Sequence, residues 1–439
     1  MNEDDSDQIA GLLMGMGLRP AEDVREADVI MLNTCSVRAK PEQKVRSKLG
    51  ELRALKEAKP ELIVGVCGCM AQRAGEAIRR RNAHVDLIVG TAQIERIPEM
   101  ICEVLSTRRR LSALGLPRAG EDEASLPTRT ERAGGRRLKA FVPITYGCDN
   151  FCAYCIVPYV RGKERSRPLD EIVQEVTHLG ERGCREVTLI GQNVNSYRSS
   201  ERRAASGESR HIGPADFAGL LAAVNGVQGI QRIRFTTSHP KDLSDRLIQA
   251  MARLPKVCEH IHLPIQSGDN NTLGRMRRGY TLEHYLERVS ALRAAVPGAA
   301  ITTDILVGFP GETDEEFENT LRAIEEIRFD SAFMFAFNPI AGTAAAGFPD
   351  QVPAEVGKQR LQRVIELQNQ ITLEVNAAQV GQTFEVLVEG PSQKDPKRLT
   401  GLTRGNKTVN FPGPVELTGS LARVRTTEAH LYGFVGEVV

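Results

Sequence analysis

Several signals are missing from this sequence, and each absence excludes a class of protein. No apolar run in the 439 residues approaches the roughly eighteen residues of a membrane-spanning helix. The first residues, MNEDDSDQ, are acidic, whereas a secretory signal peptide begins with a basic segment. The net charge is only +1, so the chain has no general excess of basic groups for binding nucleic acid. We therefore expect a cytoplasmic protein, without a membrane partner, whose contacts with any polyanion are local.

The amino-acid composition is typical of a globular protein, and the number of cysteines is odd. Apolar residues make up 41% and charged residues 26%, which suits a chain that buries substantial cores. At 439 residues it is too long for one ordinary domain, so two or three are expected. Nine cysteines cannot all be paired, and large cytoplasmic chains rarely carry a disulfide framework. The cysteines therefore indicate metal or redox chemistry.

Residues 1–105 alternate between short apolar segments and amphipathic segments, which predicts an α/β domain. A parallel sheet with helices on both faces is the expected arrangement. The predicted strands lie at 28–33, 62–66 and 86–90, and the predicted helices at 4–17, 41–58, 71–81 and 94–105. Cys35 and Cys69 each follow a strand directly. They are candidate site residues, because ligands bind at the carboxyl edge of open α/β sheets.

The remainder of the chain divides into three parts. Residues 106–138 lose all periodicity and collect Arg, Gly, Pro and Ser, which predicts a linker. From 139 to 373, six strand-like segments alternate with helical ones, as in a partial (β/α)6 barrel, with a surface insertion at 198–214. After a long helix at about 354–377, residues 374–439 read as short β-branched strands with Gly and Pro turns. That pattern predicts a small antiparallel β-barrel that serves as a binding module.

Three cysteines stand close together just after the first barrel strand: Cys148, Cys152 and Cys155. The carboxyl ends of barrel strands are where such folds place their chemistry. A structural zinc site needs four ligands, and no fourth ligand of the required type follows nearby. Three thiolates suit a 4Fe–4S cluster better, and they leave one iron open to a small molecule. A chance group of cysteines or an incomplete zinc knuckle is the alternative interpretation.

Two local clusters of basic residues are candidate phosphate contacts. The segment RGKERSR, with Arg161 and Lys163, carries four basic groups and one acidic group. A second segment, 394–407, carries five basic groups and one acidic group; its basic residues are Lys394, Lys397, Arg398, Arg404 and Lys407. A solvated surface explains either cluster equally well when it is taken alone.

The cysteine spacing C-x3-C-x2-C at this position resembles that of the radical S-adenosylmethionine (SAM) enzymes. Further segments resemble the methylthiotransferases of that superfamily: NTCSVR, CGCMAQR, TLIGQNVNSY, RFTTSHP, HLPIQSGDNNTLGRMRRGYT and VGFPGET. Within that group, the segments GQNVNSY and TTSHP are most similar to the MiaB type, which acts on dimethylallyladenosine in tRNA. The resemblance covers nearly the whole chain and implies an α/β domain, a radical SAM barrel and a TRAM-type RNA-binding barrel. It also implies residues that contact SAM: Tyr154, Gln192, Gln266, Arg278, Asp304 and Gly308.

The resemblance further implies two 4Fe–4S clusters and a tRNA substrate. One cluster would lie on the three-cysteine motif and bind SAM, and an auxiliary cluster would use Cys35 and Cys69. The methylthio group would be transferred to adenine C2 in a tRNA anticodon stem-loop, since an unactivated aromatic C–H bond requires radical chemistry. A reductant protein such as flavodoxin or ferredoxin is implied, the sulfur donor is unspecified, and a monomer is expected.

Some expectations concern the remaining cysteines and the amino terminus. The first auxiliary ligand of the family belongs to a Gly-Cys-Gln-Met-Asn segment, and this sequence begins at Met1-Asn2. We therefore expect the third ligand to be encoded upstream and the sheet to lack its first, interior strand. The cysteines expected to be buried structural residues are Cys67, Cys102, Cys184 and Cys258.

Two alternative functions remain open from the sequence. The first is a methylthiotransferase of the same family that acts on threonylcarbamoyl-adenosine in tRNA or on a ribosomal protein. The second is a non-catalytic iron–sulfur protein that binds RNA.

Overall fold

The computed structural model describes residues 1–35, 39–116, 138–199 and 215–439, apart from the side chains of 39–42. The chain forms two compact units. The first contains the described part of 1–135 together with Thr145–Arg167 and Asn338–Ala346. The second contains the described part of 136–144 together with Pro168–Phe337 and Gly347–Val439. No helix in the described ranges is long and apolar enough to span a bilayer.

The amino-terminal elements of the first unit form a parallel sheet covered on both faces, as predicted. Its strands pair in chain order and are β1 (Val29–Thr34), β2 (Ile63–Gly68), β3 (Leu87–Val89) and β4 (Leu111–Ala113). Its helices are α1 (Asn2–Gly15), α2 (Ala39–Ala58), α3 (Cys69–Arg81) and α4 (Ile97–Thr107), the last preceded by a 3-10 turn at Ile94–Arg96. Helices α1 and α4 pack on one face, through residues such as Ile9 and Ile101, while α2 and α3 pack on the other, through Leu49 and Ile78.

Two sequence-based expectations for this domain need correction. Strand β4 lies inside the predicted linker, because a strand of three residues is too short for its periodicity to be recognised. Strand β1 pairs directly with β2 from Val29 to Thr34. Cys102 is exposed rather than buried, because the apolar side of α4 runs through Met100, Ile101 and Val104. Cys67, Cys184 and Cys258 are buried as expected.

From residue 138 onward, strands and helices alternate up to the long helix that was predicted at 354–377. In chain order they are β5 (Lys139–Pro143), β6 (Thr145–Tyr146), α5 (Val157–Arg161), β7 (Arg165–Ser166), α6 (Leu169–Glu181), β8 (Glu186–Ile190), β9 (Arg198–Ser199), β10 (Ala215–Asp216), α7 (Phe217–Asn225), β11 (Arg232–Phe235), α8 (Asp245–Arg253), β12 (His260–His262), α9 (Asn270–Arg275), α10 (Leu282–Ala295), β13 (Ala300–Val307), α11 (Asp314–Ile327), β14 (Ser331–Ala336) and α12 (Ala354–Ala377). Short 3-10 turns lie at Val194–Ser196, Pro240–Asp242 and Ala344–Gly347.

The six predicted barrel strands are present, and all their pairings are parallel. They form two three-stranded sheets, β11-β8-β5 and β12-β13-β14, and an isolated bridge between Ile233 and Val257 joins the segments near β11 and β12. Several helices begin at side-chain caps, and α11 begins with a capping box between Thr313 and Glu316. Strands β9 and β10 pair at the two ends of the predicted insertion, of which residues 200–214 lie outside the described ranges.

The last residues fold into the predicted small barrel. Its strands are β15 (Thr383–Pro391), β16 (Leu399–Thr403), β17 (Thr408–Phe411), β18 (Leu421–His430) and β19 (Gly433–Val438), with a 3-10 turn at Val415–Leu417. The barrel closes in the order β15-β16-β17-β19-β18 around buried residues such as Phe411 and Phe434. It is not wholly antiparallel, because β17 and β19 pair in parallel.

Within the second unit, two buried arginines of β11 tie the small barrel to the strands of the partial barrel. The Arg232 guanidinium donates to the carbonyl oxygens of Leu402 (2.7 Å) and Glu385 (2.8 Å). Arg234 donates to the carbonyl oxygens of Thr403 (2.6 Å) and Arg404 (2.8 Å). Because these carbonyls belong to the barrel backbone, the contact fixes its orientation and does not depend on its side chains.

Candidate active site

The three-cysteine loop is held at its base by a short hairpin. Strands β6 and β7 pair on either side of it, and the Cys148 amide donates to the carbonyl oxygen of Gly162 at 3.2 Å. Gly147 has φ 71°, and a Cβ there would lie 2.0 Å from the carbonyl oxygen of Lys163. Only glycine fits this position without moving the backbone. The loop is therefore closed at a point next to its first cysteine.

The thiols of this loop form a donor set suited to an iron–sulfur cluster. Cys148 and Cys152 are buried and Cys155 is half-buried, with no disulfide among them. Burial raises the pKa of the Cys148 thiol to about 11, and the neighbouring Cys152 adds to this effect. Three soft thiolate ligands match an iron–sulfur cluster rather than a hard cation. Ligand binding must deprotonate these thiols, so cluster assembly releases protons.

The β6–β7 pairing holds the two ends of this loop through the backbone and leaves the cysteine side chains out of the pairing.

The second pair of cysteines lies in the same compact unit. Cys69 begins α3 and packs against Ile156 and Val160, which flank and form α5 immediately after the three-cysteine loop. Cys35 lies near enough for its charge to raise the pKa of Cys69, although burial is the larger cause. The two groups of cysteines that were predicted to hold clusters are thus connected through directly packed side chains.

Cys67 packs in a different hydrophobic cluster from Cys69. Its side chain is buried in the core on the α1 side of the sheet, and burial raises the pKa of the thiol to about 12. Cys69 lies beyond the end of β2, as the first residue of α3, and packs instead against Ile156 and Val160. The described residues therefore bring two cysteines, Cys35 and Cys69, to the candidate auxiliary site.

Arg161 is not part of an RNA-binding surface, which corrects the sequence-based prediction. Its side chain is only 6% exposed and pairs with Asp5 at 2.6 Å. It also donates to the Asn2 side-chain oxygen at 3.0 Å and hydrogen-bonds the Cys69 sulfur, an interaction that lowers the pKa of that thiol against the effect of burial. Arg161 therefore connects the three-cysteine loop to the candidate auxiliary site.

Four of the predicted SAM contacts lie together at the carboxyl ends of β12 and β13. The Gln266 amide donates to the carbonyl oxygen of Asp304 at 2.8 Å, and Gln266 has φ 66°. Arg278 donates to the carbonyl oxygen of Pro264 at 3.0 Å, two residues before Gln266. Gly308 follows β13 with φ 69°, and its amide donates to Glu312 at 2.6 Å. Their role in binding SAM stays a prediction.

The other two predicted SAM contacts lie elsewhere in the chain. Gln192 is half-buried just after β8, in the second unit. Tyr154 is half-buried within the three-cysteine loop, in the first unit. Gln192 thus follows β8 and Tyr154 lies in the loop after β5, and their role in binding SAM stays a prediction.

The sequence-based reasoning did not assign three buried polar residues that follow β8 and β11. The Oδ1 of Asn193, the Oγ of Ser238 and the Nε2 of His239 are buried and accept or donate no hydrogen bond within the structure. The Asn195 side chain joins the two loops, because it both donates to and accepts from the backbone of His239. Buried polar atoms without partners are rare and often face a ligand. The motifs GQNVNSY and TTSHP contained the signal, but no side chain was singled out within them.

The exposed part of the predicted RNA-binding surface is smaller than the sequence indicated. Lys394 and Lys397 are exposed on the connection between β15 and β16, and Arg398 is paired with Asp395 at 3.4 Å in a half-exposed position. Lys163, in the first unit, is also exposed. These four basic residues are accessible to phosphate groups.

Arg404 and Lys407 belong to the internal contact of the second unit instead. Arg404 donates to both carboxylate oxygens of Glu259 at 2.7 Å. Lys407 pairs with Asp330 at 2.7 Å and is 11% exposed. The β16–β17 turn is therefore held by charges that the sequence pattern assigned to RNA.

A three-thiol loop that follows the first strand of a six-stranded partial barrel defines a radical SAM protein. The model of the Radical SAM superfamily matches residues 142–324, that of the Uncharacterized protein family UPF0004 matches 1–90, and that of the TRAM domain matches 377–439. An iron–sulfur cluster and SAM are therefore the cofactors of this chain. The loop cysteines lie within the first of these matches.

Two full-length relatives narrow the class. A tRNA-2-methylthio-N(6)-dimethylallyladenosine synthase from Moorella thermoacetica is 49% identical over 443 residues, covering 100% of this chain and 96% of the relative. Another from Syntrophomonas wolfei is 47% identical over 439 residues, covering 100% of this chain and 95% of the relative. The chain belongs to the tRNA-2-methylthio-N(6)-dimethylallyladenosine synthase family.

Solved structures support the fold. The radical SAM methyltransferase TsrM from Kitasatospora setae, with cobalamin and a [4Fe-4S] cluster bound, aligns with a TM-score of 0.57 at 15% identity, over 78% of this chain and 73% of that one. The cobalamin-dependent radical SAM enzyme OxsB aligns with a TM-score of 0.51 at 12% identity, over 83% of this chain and 53% of that one. At such low identity the likeness concerns the fold alone.

Proposed function

We propose that this protein is a tRNA methylthiotransferase that converts N6-dimethylallyladenosine next to the anticodon into its 2-methylthio derivative. Family membership over the whole chain carries the proposal. The packing of Cys69 against the helix that follows the three-cysteine loop supports it, because methylthio transfer needs a sulfur site beside a radical site.

In this function Cys148, Cys152 and Cys155 hold the 4Fe–4S cluster that binds SAM. When bound, the cluster and SAM supply a carbon radical strong enough to take hydrogen from adenine C2. The chain orients SAM through Tyr154, Gln192 and residues at the carboxyl ends of β12 and β13: Gln266, Arg278, Asp304 and Gly308. The hairpin at the loop base keeps the three thiols in one place while SAM exchanges.

The amino-terminal domain, residues 1–105, supplies the sulfur site. Cys35 and Cys69 serve as ligands of an auxiliary 4Fe–4S cluster, with Arg161 beside Cys69 to stabilise negative charge on its sulfur. The described residues provide two of the three thiols that such a cluster uses in this family. Residues 139–373 carry the radical chemistry.

Residues 374–439 bind the tRNA anticodon stem-loop. Lys394, Lys397 and Arg398 contact phosphates, as does Lys163 near the cysteine loop, so binding weakens as salt is raised. The purine must leave any base stack to react, which suits an unpaired anticodon-loop position. A flavodoxin or ferredoxin supplies electrons, the sulfur donor is unassigned, and the enzyme acts as a cytoplasmic monomer.

The test is anaerobic reconstitution of the full chain with iron, sulfide, SAM, a reductant and a dimethylallylated anticodon stem-loop, followed by mass spectrometry of the base. We expect 5′-deoxyadenosine and the 2-methylthio base. Cys152→Ser should abolish both, because two thiols cannot hold a cluster with an open iron, whereas Cys102→Ser should change neither, because Cys102 is an exposed thiol outside both sites.

The same assay separates the alternatives. Methylthiolation of only a threonylcarbamoylated stem-loop would indicate the sibling enzyme. A chain that binds stem-loop and iron but forms no 5′-deoxyadenosine would be a non-catalytic RNA-binding protein.

A further inference from the structure

The helices that the structure describes pack against one face of the strands β12, β13 and β14. Alternate residues of β13, such as Ile301 and Ile305, are buried in the core that the surrounding helices form. The intervening residues of β13, Thr302, Asp304 and Leu306, must therefore face the inside of the partial barrel. The inner face of these strands is where a barrel of this kind offers space to a substrate.

Residue pairing places an aromatic wall on this inner face. Phe333 of β14 pairs with Asp304, and Phe335 pairs with Leu306, so both phenylalanines share the inner face. Ala332 and Met334, between and beside them, pack on the opposite side against the helices. Phe333, Phe335 and Leu306 thus form an apolar inner surface, which we call the β14 wall.

Phe333 is the most exposed residue of the β14 wall. It remains 60% exposed although it lies in the middle of a strand, and its ring meets His262 edge-on with centroids 5.9 Å apart. His262 is in turn 3.3 Å from the Asp304 carboxylate, and its Nδ1 is 3.0 Å from the Thr302 hydroxyl. The ring is therefore fixed on one side and open on the other. A single exposed phenylalanine needs no explanation, but one continuous with Leu306 and Phe335 inside a barrel indicates an apolar ligand.

We propose that the β14 wall holds the dimethylallyl group of the substrate adenosine and makes this protein specific for that modification. The inference rests on the proposed function. The dimethylallyl group is a branched five-carbon chain without polar atoms, so its burial against Phe333 is favourable.

The negative charge of Asp304 beside the β14 wall disfavours threonylcarbamoyl-adenosine, the substrate of the alternative methylthiotransferase. A threonylcarbamoyl group carries a carboxylate, which needs a cation or several N–H donors where it is bound. The acidic residue opposite Phe333 is Asp304, and the nearest ring, His262, already has both nitrogens occupied by Asp304 and Thr302. The apolar side chains of the β14 wall therefore favour an uncharged substituent, and the Asp304 carboxylate repels a substituent that carries a carboxylate.

The test measures binding of the reconstituted full chain, without SAM, to three fluorescent anticodon stem-loops that differ only at the target adenosine. The adenosine is unmodified, dimethylallylated or threonylcarbamoylated. We expect wild-type protein to prefer the dimethylallylated loop over the unmodified loop, and Phe333→Ala to lower that preference by about tenfold, the effect of removing about 1.4 kcal/mol of apolar contact. Phe333→Leu keeps an apolar surface and should retain most of the preference.

The preference is a ratio of two affinities, so a general loss of RNA binding does not change it. Tyr432→Ala is the matched control, because Tyr432 is an aromatic residue 86% exposed on the small barrel and outside the wall. It should leave the ratio unchanged.

The possible outcomes separate the inference from the proposed function. If wild-type protein prefers the dimethylallylated loop and Phe333→Ala keeps that preference, the inference is wrong while the proposed function stands. If wild-type protein prefers the threonylcarbamoylated loop, both are wrong. If it does not distinguish the dimethylallylated loop from the unmodified one, the wall does not bind the substituent.

Discussion

Arg404 allows a direct test of whether the β16–β17 turn binds RNA or holds the small barrel in place. The structure assigns it the second role. Its guanidinium donates two hydrogen bonds to the Glu259 carboxylate at 2.7 Å and one to the Val257 carbonyl oxygen at 2.6 Å. We expect Arg404→Ala to destabilise the attachment of β16 and β17 without changing affinity for RNA.

The magnitude follows from the contacts and their exposure. A hydrogen bond to a charged group contributes about 1.5–3 kcal/mol, and bonds made by one side chain are not additive. The side chain of Glu259 is 36% exposed, so water can solvate the carboxylate that is left behind. We therefore expect a loss of about 2 kcal/mol, which is a roughly 30-fold increase in local opening.

Hydrogen exchange followed by mass spectrometry measures this opening directly. Peptides that cover Leu399–Thr403 and Thr408–Phe411 should lose protection in Arg404→Ala, while the sheet of the amino-terminal domain should not change. Lys397→Ala is the matched control, since Lys397 is an exposed basic residue of the same segment and should leave protection unchanged. The reasoning is refuted if Arg404→Ala keeps full protection and weakens RNA binding instead.

Three further predictions concern RNA binding, cluster assembly and pH. Reversing the charge of Lys394 and Lys397 should weaken stem-loop binding by at least about tenfold at low salt and make the affinity less dependent on salt, while SAM cleavage stays unchanged. If the variant and the wild type bind the stem-loop equally well at moderate salt, the small barrel is not the RNA-binding part. Gly147→Ala should lower the amount of iron bound after reconstitution, because a Cβ there would lie 2.0 Å from a carbonyl oxygen. Gly50→Ala is the control and should leave the iron content unchanged, since a Cβ there would have nothing within 4 Å. Equal iron content in the two variants would show that the loop tolerates the change. Burial holds the pKa of His260 at about 3, below the ordinary value near 6.5, so the unfolded state binds more protons as pH falls between these values. The contribution of His260 to the free energy of unfolding is therefore complete above pH about 6.5. Because of this histidine, the free energy of unfolding should be about 1.4 kcal/mol lower at pH 5.5 than at pH 7.5. Denaturant titration at both pH values should show a smaller difference for His260→Gln than for the wild type.

Much of the fold could be predicted because it depends on local patterns. The six barrel strands and the long helix at Ala354–Ala377 were expected close to where they lie, and residues 374–439 were expected to form short strands of a small barrel. Strand and helix periodicity depends on neighbours within a few residues, and the spacing of Cys148, Cys152 and Cys155 is itself local. The candidate cluster loop was therefore visible without any coordinates.

Errors arose where a residue's role depends on a distant partner. Arg161 looked like one of several basic surface residues, yet it pairs with Asp5, which is 156 residues away in the sequence. Arg404 and Lys407 looked like part of an RNA-binding segment, yet each meets a carboxylate of the partial barrel. A run of basic residues shows charge but not whether a neighbouring chain segment neutralises it.

The sequence by itself determined the class of fold and the ligand chemistry of the cysteine loop, since both follow from the order and spacing of residue types. Tertiary structure decided which cations remain available for RNA, that Cys69 lies against the segment following the cysteine loop, and that Phe333 faces the inside of the barrel. These properties depend on which strands pair and in which register. A shift of one residue would turn every side chain of β14 to the opposite face, so only the folded sheet fixes Phe333 on the inner side.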